Sequence, residues 1–279
     1  MTHAQLHEFI RTAPKGSLMM QVGARDHSRD HDMGQLAIQY HWQAILLEPI
    51  PWLAERLERK YADNPLVHVV RATICPSAPA SCTPGVLPFS WVQTSRKQHH
   101  GSRTADPRCL PHWASELTSL SYAHVVKQQR EIRFTPLMCA ACAQRLYHNV
   151  SALDAGCLSD ALLANMANST VACTCFSSLL MPDESGGLRM ALERRGPSIT
   201  QQPPNKISLL LLDAEGHTLQ LLQQFPFSST PIIRVGYAPY HMHAGTRRKA
   251  VALLERANFT HVRTNWRHSD WARAPRHSG

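Results

Sequence analysis

The stretch Ser208–Phe227, SLLLLDAEGHTLQLLQQFPF, decides the fold because it joins a wholly apolar strand to a leucine-rich helix through a short polar turn. Leucines 209–212 form a run of strand length, and three ionisable residues follow at once: Asp213, Glu215 and His217. A strand that is apolar on both faces is typical of a parallel sheet covered by helices on both sides. The stretch therefore predicts one unit of an α/β fold, with ionisable side chains at the carboxyl end of its strand.

The same alternation of strand and helix occurs on both sides of this stretch. In the first quarter, strands are predicted at 18–23, 44–49 and 66–73, and helices at 33–42 and 52–61. Around the opening stretch, strands are predicted at 207–213, 231–237 and 260–264, and helices at 217–224 and 246–259. Short connections between such elements predict right-handed crossovers. We therefore expect a single α/β domain with a doubly wound, mainly parallel sheet.

A long region, about 78–205, separates the two core blocks at 18–75 and 207–264. Its edges are rich in proline, and it is too long for a bare loop. Within it, 114–130 and 157–168 have helical patterns. We expect an inserted cap region that packs over one rim of the sheet.

Composition narrows the class of protein. The chain is 43% hydrophobic and 18% charged, and none of its apolar runs reaches the roughly 20 residues that a membrane helix needs. The first residues lack the apolar centre of a secretion signal, so a soluble, intracellular and cytoplasmic protein is expected. The net charge of +9 is dispersed and is not interleaved with aromatic residues, which disfavours nucleic acid as a partner.

All eight cysteines lie between Cys75 and Cys175. Reduced thiols are expected for an intracellular chain. The pairs Cys139–Cys142 and Cys173–Cys175 together offer four thiolates, which is the number that a structural zinc ion takes. The tight spacing of the second pair favours plain buried thiols instead, and we assign no metal.

Several residues at the ends of predicted strands are expected to share one crevice. They are Gly23, Glu48, Arg71, Ala72 and Asp213. In open α/β sheets, ligands bind beyond the carboxyl ends of the strands, where the strand order reverses. Gly23 would let a ligand approach the backbone closely. An acid at the end of the second strand commonly binds the hydroxyls of a ribose, so Glu48 predicts a nucleoside-containing cofactor.

The choice of cofactor follows from the glycines that the first turn lacks. A dinucleotide motif has three glycines in the pattern G-x-G-x-x-G, and GARDHS at 23–28 contains the first alone. This disfavours a nicotinamide-dependent dehydrogenase. A Walker lysine motif is absent from the sequence as well. The remaining choice is S-adenosylmethionine, which carries no phosphates and so needs no glycine cradle.

Four segments together resemble one known family. They are MQVGARDH (20–27), AILLEPIPWLAERLERKY (44–61), VVRATI (69–74) and ISLLLLDAEGHTLQLLQQFPFSSTPIIRV (207–235). In order and spacing they are similar to the FkbM-type S-adenosylmethionine-dependent methyltransferases. Those proteins have a V-G-A-N-D-G turn, a V-E-P strand end, an N-A-A-like third strand and an I-D-x-E-G-x-D segment.

The resemblance implies a Rossmann-like class I methyltransferase fold. It also implies O-methylation of a hydroxyl on a small molecule or glycan. Position by position, it assigns cofactor contacts to Gly23, Ala24, Asp26, Glu48, Arg71 and Ala72. It matches Asp213 and Glu215 to the acids of the D-x-E-G segment.

The chain departs from the family pattern at three positions. His27 replaces a glycine of the first turn, Thr218 replaces an acid, and Gly236 replaces an acid near the end of the fifth strand. These departures favour a second interpretation, in which the chain is a non-catalytic cofactor-binding or scaffolding protein derived from such enzymes.

Methyl transfer to a hydroxyl requires that the acceptor oxygen lose its proton. We hypothesise that His217 accepts this proton and that Asp213 or Glu215 orients it or raises its basicity. Structural alternatives stand beside these roles. Asp213 is suited to cap the following helix, Glu215 is favoured in a first helical turn, and His217 is one of 17 histidines.

Overall fold

The computed structural model describes eleven ranges of the chain. They are 3–24, 32–77, 81–92, 118–119, 166–182, 188–189, 207–214, 216–230, 232–239, 242–264 and 269–274. The chain forms two compact units, Met1–Val86 with Val171–Gly279, and Leu87–Thr170. The second unit lies within the region 78–205 predicted as an insertion.

The described elements alternate between strand and helix at both ends of the chain. They are α1 His3–Thr12, β1 Leu18–Val22, α2 Met33–Tyr40, β2 Gln43–Leu47, α3 Pro51–Lys60, β3 Val67–Val70, β4 Thr73–Ile74, β5 Gly85–Val92, β6 Thr118–Ser119, β7 Met166–Thr174, α4 Phe176–Leu179, β8 Met181–Pro182, β9 Leu188–Arg189, β10 Ile207–Leu212, α5 Thr218–Gln224, β11 Ile232–Tyr237, α6 Ala244–Arg256, β12 Phe259–Thr264 and β13 Ser269–Arg273. Each helix in these ranges is too short or too polar to cross a lipid bilayer.

A seven-stranded sheet organises the first unit, in the order β12-β13-β11-β10-β1-β2-β3. Strands β1, β2, β3, β10 and β11 are parallel to their neighbours in this row. Strand β13 runs antiparallel to both β11 and β12, between which it lies. The predicted α/β chain with a mainly parallel sheet is confirmed, and this arrangement is compatible with a Rossmann-like fold.

Both faces of the sheet are covered at its centre, which is why β1, β2 and β10 read as nearly continuous apolar runs. Along β1, alternate side chains point to opposite faces. Met20 belongs to the core formed with α5 and α6, whereas Met19 belongs to the core formed with α1, α2 and α3. All five residues of β1 are buried. Burial on both faces fixes this strand at the centre of the unit.

The helix predicted at 33–42 ends earlier, at Tyr40. His41 adopts the left-handed conformation with φ 56°, and its N–H donates to the carbonyls of Ala37 and Ile38. At its other end, the Asp32 carboxylate accepts a hydrogen bond of 3.0 Å from the backbone N–H of Gln35. Both ends of α2 are therefore closed by residues that commonly end helices.

The helices predicted at 114–130 and 157–168 are wrong where the structure describes those ranges. Thr118–Ser119 is a strand, β6, and 166–168 belongs to β7. Both segments have a local helical pattern but form strands. Strand formation depends on pairing with partners that are distant in the sequence, which a local pattern does not reveal. The remaining residues of both ranges lie outside the described part of the chain.

The second unit contains an antiparallel strand pair. Ser90 of β5 pairs with Ser119 of β6. The Ser90 hydroxyl donates a hydrogen bond of 2.7 Å to the side-chain oxygen of Asn168. Phe89 and Trp91 stack with their ring centroids 5.9 Å apart.

Two disulfides contradict the expectation of reduced thiols. Cys75 is bonded to Cys173, and Cys82 to Cys175. The pairing of β4 with β7 places Thr73 opposite Cys173, which brings together cysteines that are distant in the sequence. The alternative of a zinc site on 139, 142, 173 and 175 is not supported, because Cys173 and Cys175 are engaged in these bridges. Positions 139 and 142 lie outside the described residues.

Candidate functional site

Five parallel strands of the sheet end in one row. The register places Val22 beside Leu47 and Leu212, Leu47 beside Val70, and Leu212 beside Tyr237. The residue that follows each of these therefore starts at the same edge of the sheet, about 4.8 Å from its neighbour. The strand order reverses between β1 and β10, so this edge contains the place where α/β sheets bind ligands.

Gly23 and Asp213 meet at this reversal. The backbone N–H of Asp213 donates to the Val22 carbonyl at 2.9 Å. Gly23 has φ 80°, and a Cβ at this position would collide with the carbonyl oxygen of Asp213 and lie 3.1 Å from its carbonyl carbon. Conformation and space both require glycine here. The two turns that were predicted to share a crevice are in contact.

The turn after β1 is held by β2. The N–H groups of Gly23 and Ala24 both donate to the Leu47 carbonyl, at 3.0 and 2.9 Å. Ala24 is buried against α2 and its neighbours. Asp26, predicted to contact the cofactor, and His27 lie outside the described residues. The start of this turn is therefore fixed by backbone hydrogen bonds to β2 and by the burial of Ala24.

Glu48 lies next to this turn and is 1% exposed. Its N–H donates to the Val70 carbonyl at 3.0 Å, and its Oε1 accepts a hydrogen bond of 2.8 Å from the N–H of Ile50. Ile50 is the residue that immediately precedes α3. Glu48 thus stabilises the entry to that helix, a role that the sequence did not suggest. Its contact with a ribose stays a prediction.

Arg71 and Ala72 have different environments. The exposed Arg71 guanidinium pairs with Glu58 of α3, with Nε 2.8 Å from Oε1, and this hydrogen bond raises the pKa of Arg71. Ala72 is buried, and its N–H donates to the Val70 carbonyl at 2.8 Å. The ion pair with Glu58 competes with any contact between Arg71 and a cofactor. Ala72 is buried just beyond the end of β3.

Asp213 does not cap α5. The helix begins at Thr218, and the residue in the capping position is His217, which makes no side-chain capping bond. In the described part of the chain, the Asp213 carboxylate makes no hydrogen bond and no ion pair. The carboxylate of Asp213 therefore lies at the carboxyl edge of the sheet, and no described residue binds it.

The segment from Asp213 to α5 forms a tight turn. Gly216 has φ 82°, and the N–H of His217 donates to the Ala214 carbonyl at 2.8 Å. The Thr218 hydroxyl donates a hydrogen bond of 3.4 Å to the same carbonyl, so its side chain stabilises the turn. His217 is half-buried, whereas an ordinary surface histidine would be exposed. Glu215 lies outside the described residues.

Gly236 is an interior residue of β11, opposite Leu211 and Asp270. A Cβ at Gly236 would lie 2.7 Å from the Leu211 side chain, so packing explains the small residue at this position. The residue that reaches the edge from this strand is Ala238, whose N–H donates to the Leu212 carbonyl at 3.3 Å. Sequence reasoning missed it, although the Ala-Pro at 238–239 marks the end of the strand.

Comparison with known proteins adds no family to these observations. No family model matches the chain, and no curated protein matches it.

Proposed function

We propose that the carboxyl edge of the sheet binds S-adenosylmethionine and that the protein transfers its methyl group to a hydroxyl of a small molecule or glycan. The observation that carries this proposal is the contact between the Gly23 turn and Asp213 at the reversal of strand order. Glu48 and Ala72 follow in the same row, on the side of β2 and β3.

The order of the strands supports this class over a dehydrogenase. Dinucleotide-binding sheets have the order 3-2-1-4-5-6. Here the last strand, β13, is reversed and lies between β11 and β12, so the row departs from that order. The first turn also offers a single glycine of the dinucleotide motif.

Binding is divided among the edge residues by their chemistry. Gly23 presents backbone without a side chain, which suits close approach of a ligand. Glu48, one strand away, is a carboxylate suited to accept hydrogen bonds from two vicinal hydroxyls. Ala72 contributes a small apolar surface beside β3, suited to the flat face of an adenine.

Catalysis in this proposal consists of positioning and proton removal. When bound, S-adenosylmethionine supplies a methyl group on a positively charged sulfur. The chain aligns the acceptor hydroxyl for in-line attack, which accounts for much of the acceleration. His217 removes the hydroxyl proton, and Asp213 stabilises the imidazolium that results.

Calorimetric titration tests the ligand class. We expect S-adenosylhomocysteine to bind and NAD to show no heat of binding. Tighter binding of NAD would contradict the proposal. Incubation with S-adenosylmethionine and a panel of hydroxylated acceptors then separates a methyltransferase from a chain that binds the cofactor without turnover.

Gly23→Ala tests the position of the site. The added Cβ collides with the Asp213 carbonyl, so we expect affinity for S-adenosylhomocysteine to fall at least about tenfold, or about 1.4 kcal/mol. Gly16→Ala is the matched control, because Gly16 has a similar φ of 75° but no atom within 4 Å of an added Cβ. Equal affinity in the two variants would place the site elsewhere.

A further inference from the structure

Four cysteines of the first unit gather in one place. The two bridges join the same short segments, with one cysteine at each end of 75–82 and the other two at 173 and 175. The sulfur atoms of Cys75, Cys82 and Cys175 lie within 4.8 Å of one another, although they belong to different bridges. The fourth sulfur, of Cys173, is bonded to Cys75.

This spacing is close to that of a metal centre. Zinc binds four thiolates in a tetrahedron with Zn–S bonds of about 2.3 Å, which places the sulfurs about 3.8 Å apart. The sulfurs of Cys75, Cys82 and Cys175 are therefore within reach of one ion, and Cys173 is the neighbour of Cys75. Three of the four residues are buried, which shields bound metal from solvent.

The backbone that holds the four cysteines does not depend on the bridges. Strand β4 pairs with β7, and the N–H of Cys75 donates to the Thr174 carbonyl at 2.9 Å. The side-chain amide of Gln224 donates to the carbonyls of Cys75 and Ser77, the latter at 2.7 Å. These contacts hold Cys75 beside Cys173 and Cys175, and tie Cys75 and Ser77 to α5, independently of the sulfur bonds.

We propose that Cys75, Cys82, Cys173 and Cys175 form a redox-dependent zinc site, which binds one Zn²⁺ as four thiolates when the two bridges are reduced. Reduction by a phosphine converts each disulfide and one water to two thiols and a phosphine oxide. Zinc then binds the four sulfurs and displaces four protons to solvent. Reoxidation by a disulfide such as oxidised glutathione restores both bridges, releases the metal and consumes one oxidant per bridge.

Metal content of the wild-type chain is the first test. The oxidised protein and the phosphine-reduced protein are each exposed to Zn²⁺, desalted and analysed for metal. We expect about one zinc per reduced chain and none in the oxidised chain. Cobalt in place of zinc should give the intense visible absorption of tetrahedral thiolate coordination. A reduced chain that takes up no stoichiometric zinc overturns the proposal.

Thiol mapping identifies the ligands without a substitution. All eight cysteines of the reduced, metal-free chain should react with a maleimide in denaturant. With zinc bound under native conditions, cysteines 75, 82, 173 and 175 should be protected, as read by peptide mass spectrometry. Labelling of these four at the metal-free rate would contradict the assignment.

Paired variants provide the control. Cys82→Ser with Cys175→Ser removes half of the ligands and leaves the pairing of β4 with β7 in place in the reduced chain. We expect this variant to lose stoichiometric zinc. Cys139→Ser with Cys142→Ser removes the other closely spaced pair and should retain it. If zinc were instead lost from Cys139→Ser with Cys142→Ser and kept by Cys82→Ser with Cys175→Ser, the metal would be bound by Cys139 and Cys142.

Discussion

Asp213 and Asp270 belong to the same sheet but have opposite surroundings. Asp270 lies in β13, is 1% exposed and accepts two hydrogen bonds from Arg234, of 2.9 and 2.7 Å. The Arg234 guanidinium also lies over the Phe9 ring, 4.8 Å from its centroid. Asp213 is half-buried at the end of β10, and no described residue pairs with it.

The difference separates a structural acid from a candidate functional one. A buried carboxylate is tolerated when its charge is paired and its oxygens are hydrogen-bonded, as for Asp270. This pair joins β11 to the reversed strand β13 and thereby fixes the end of the sheet. An acid without such a structural partner is available to a ligand.

Arg234→Ala should give the largest effect on folding. It leaves Asp270 buried without its partner, which costs about 3–5 kcal/mol of the free energy of unfolding. Denaturation by urea measures the loss. In the matched double variant, Arg234→Met with Asp270→Leu, most of the stability should return because no charge is left buried. A loss below about 1 kcal/mol in the single variant would remove the contrast with Asp213.

His217→Ala should abolish most turnover while the fold is kept. Loss of a positioned general base lowers rates by about 10²–10⁴-fold. Asp213→Asn should change the free energy of unfolding by less than about 0.5 kcal/mol, as expected for an acid without structural partners, and should also lower turnover. Methyl transfer and urea denaturation are measured on the same samples. Full activity of His217→Ala would end its assignment as the base.

His68 should produce the smallest effect, as an interior group without a charged partner. Burial lowers the pKa of His68 below the usual 6.5, partly offset by a hydrogen bond to the Pro65 backbone, and its Nε2 has no hydrogen-bond partner in the described part of the chain. As the pH falls below about 6.5, the unfolded chain binds a proton that the folded chain does not. Wild-type stability should therefore decline below this pH more steeply than that of His68→Phe. Identical pH profiles of the two proteins would contradict the effect of burial.

Local sequence patterns predicted the elements that form the centre of the sheet. The runs at 18–23 and 207–213 are apolar on both faces, and the structure places β1 and β10 there as central strands. The short β13, with Ser-Asp-Trp-Ala-Arg at 269–273, was missed because it is polar and lacks the alternation of a strand. Its strand conformation depends on two neighbouring strands and on the pair between Arg234 and Asp270.

In the candidate site, too, some features could be predicted from the sequence and others could not. That Gly23 and Asp213 lie at strand ends is a local property, read from apolar runs that stop at a turn residue. That Glu48 holds the N–H of Ile50 and that Arg71 pairs with Glu58 depends on which groups the folded chain brings within reach. Such partners cannot be read from the types of residue alone.

The sequence by itself determined the strand and helix periods, the parallel α/β class and the polar residues at the strand ends, because these follow from local patterns of burial. The tertiary structure alone decided the reversed last strand, the lack of space for a Cβ at Gly23, and the joining of Cys75 to Cys173 and Cys82 to Cys175. Each of these depends on contacts between segments far apart in the chain, whose register is fixed when both faces of the sheet are buried together.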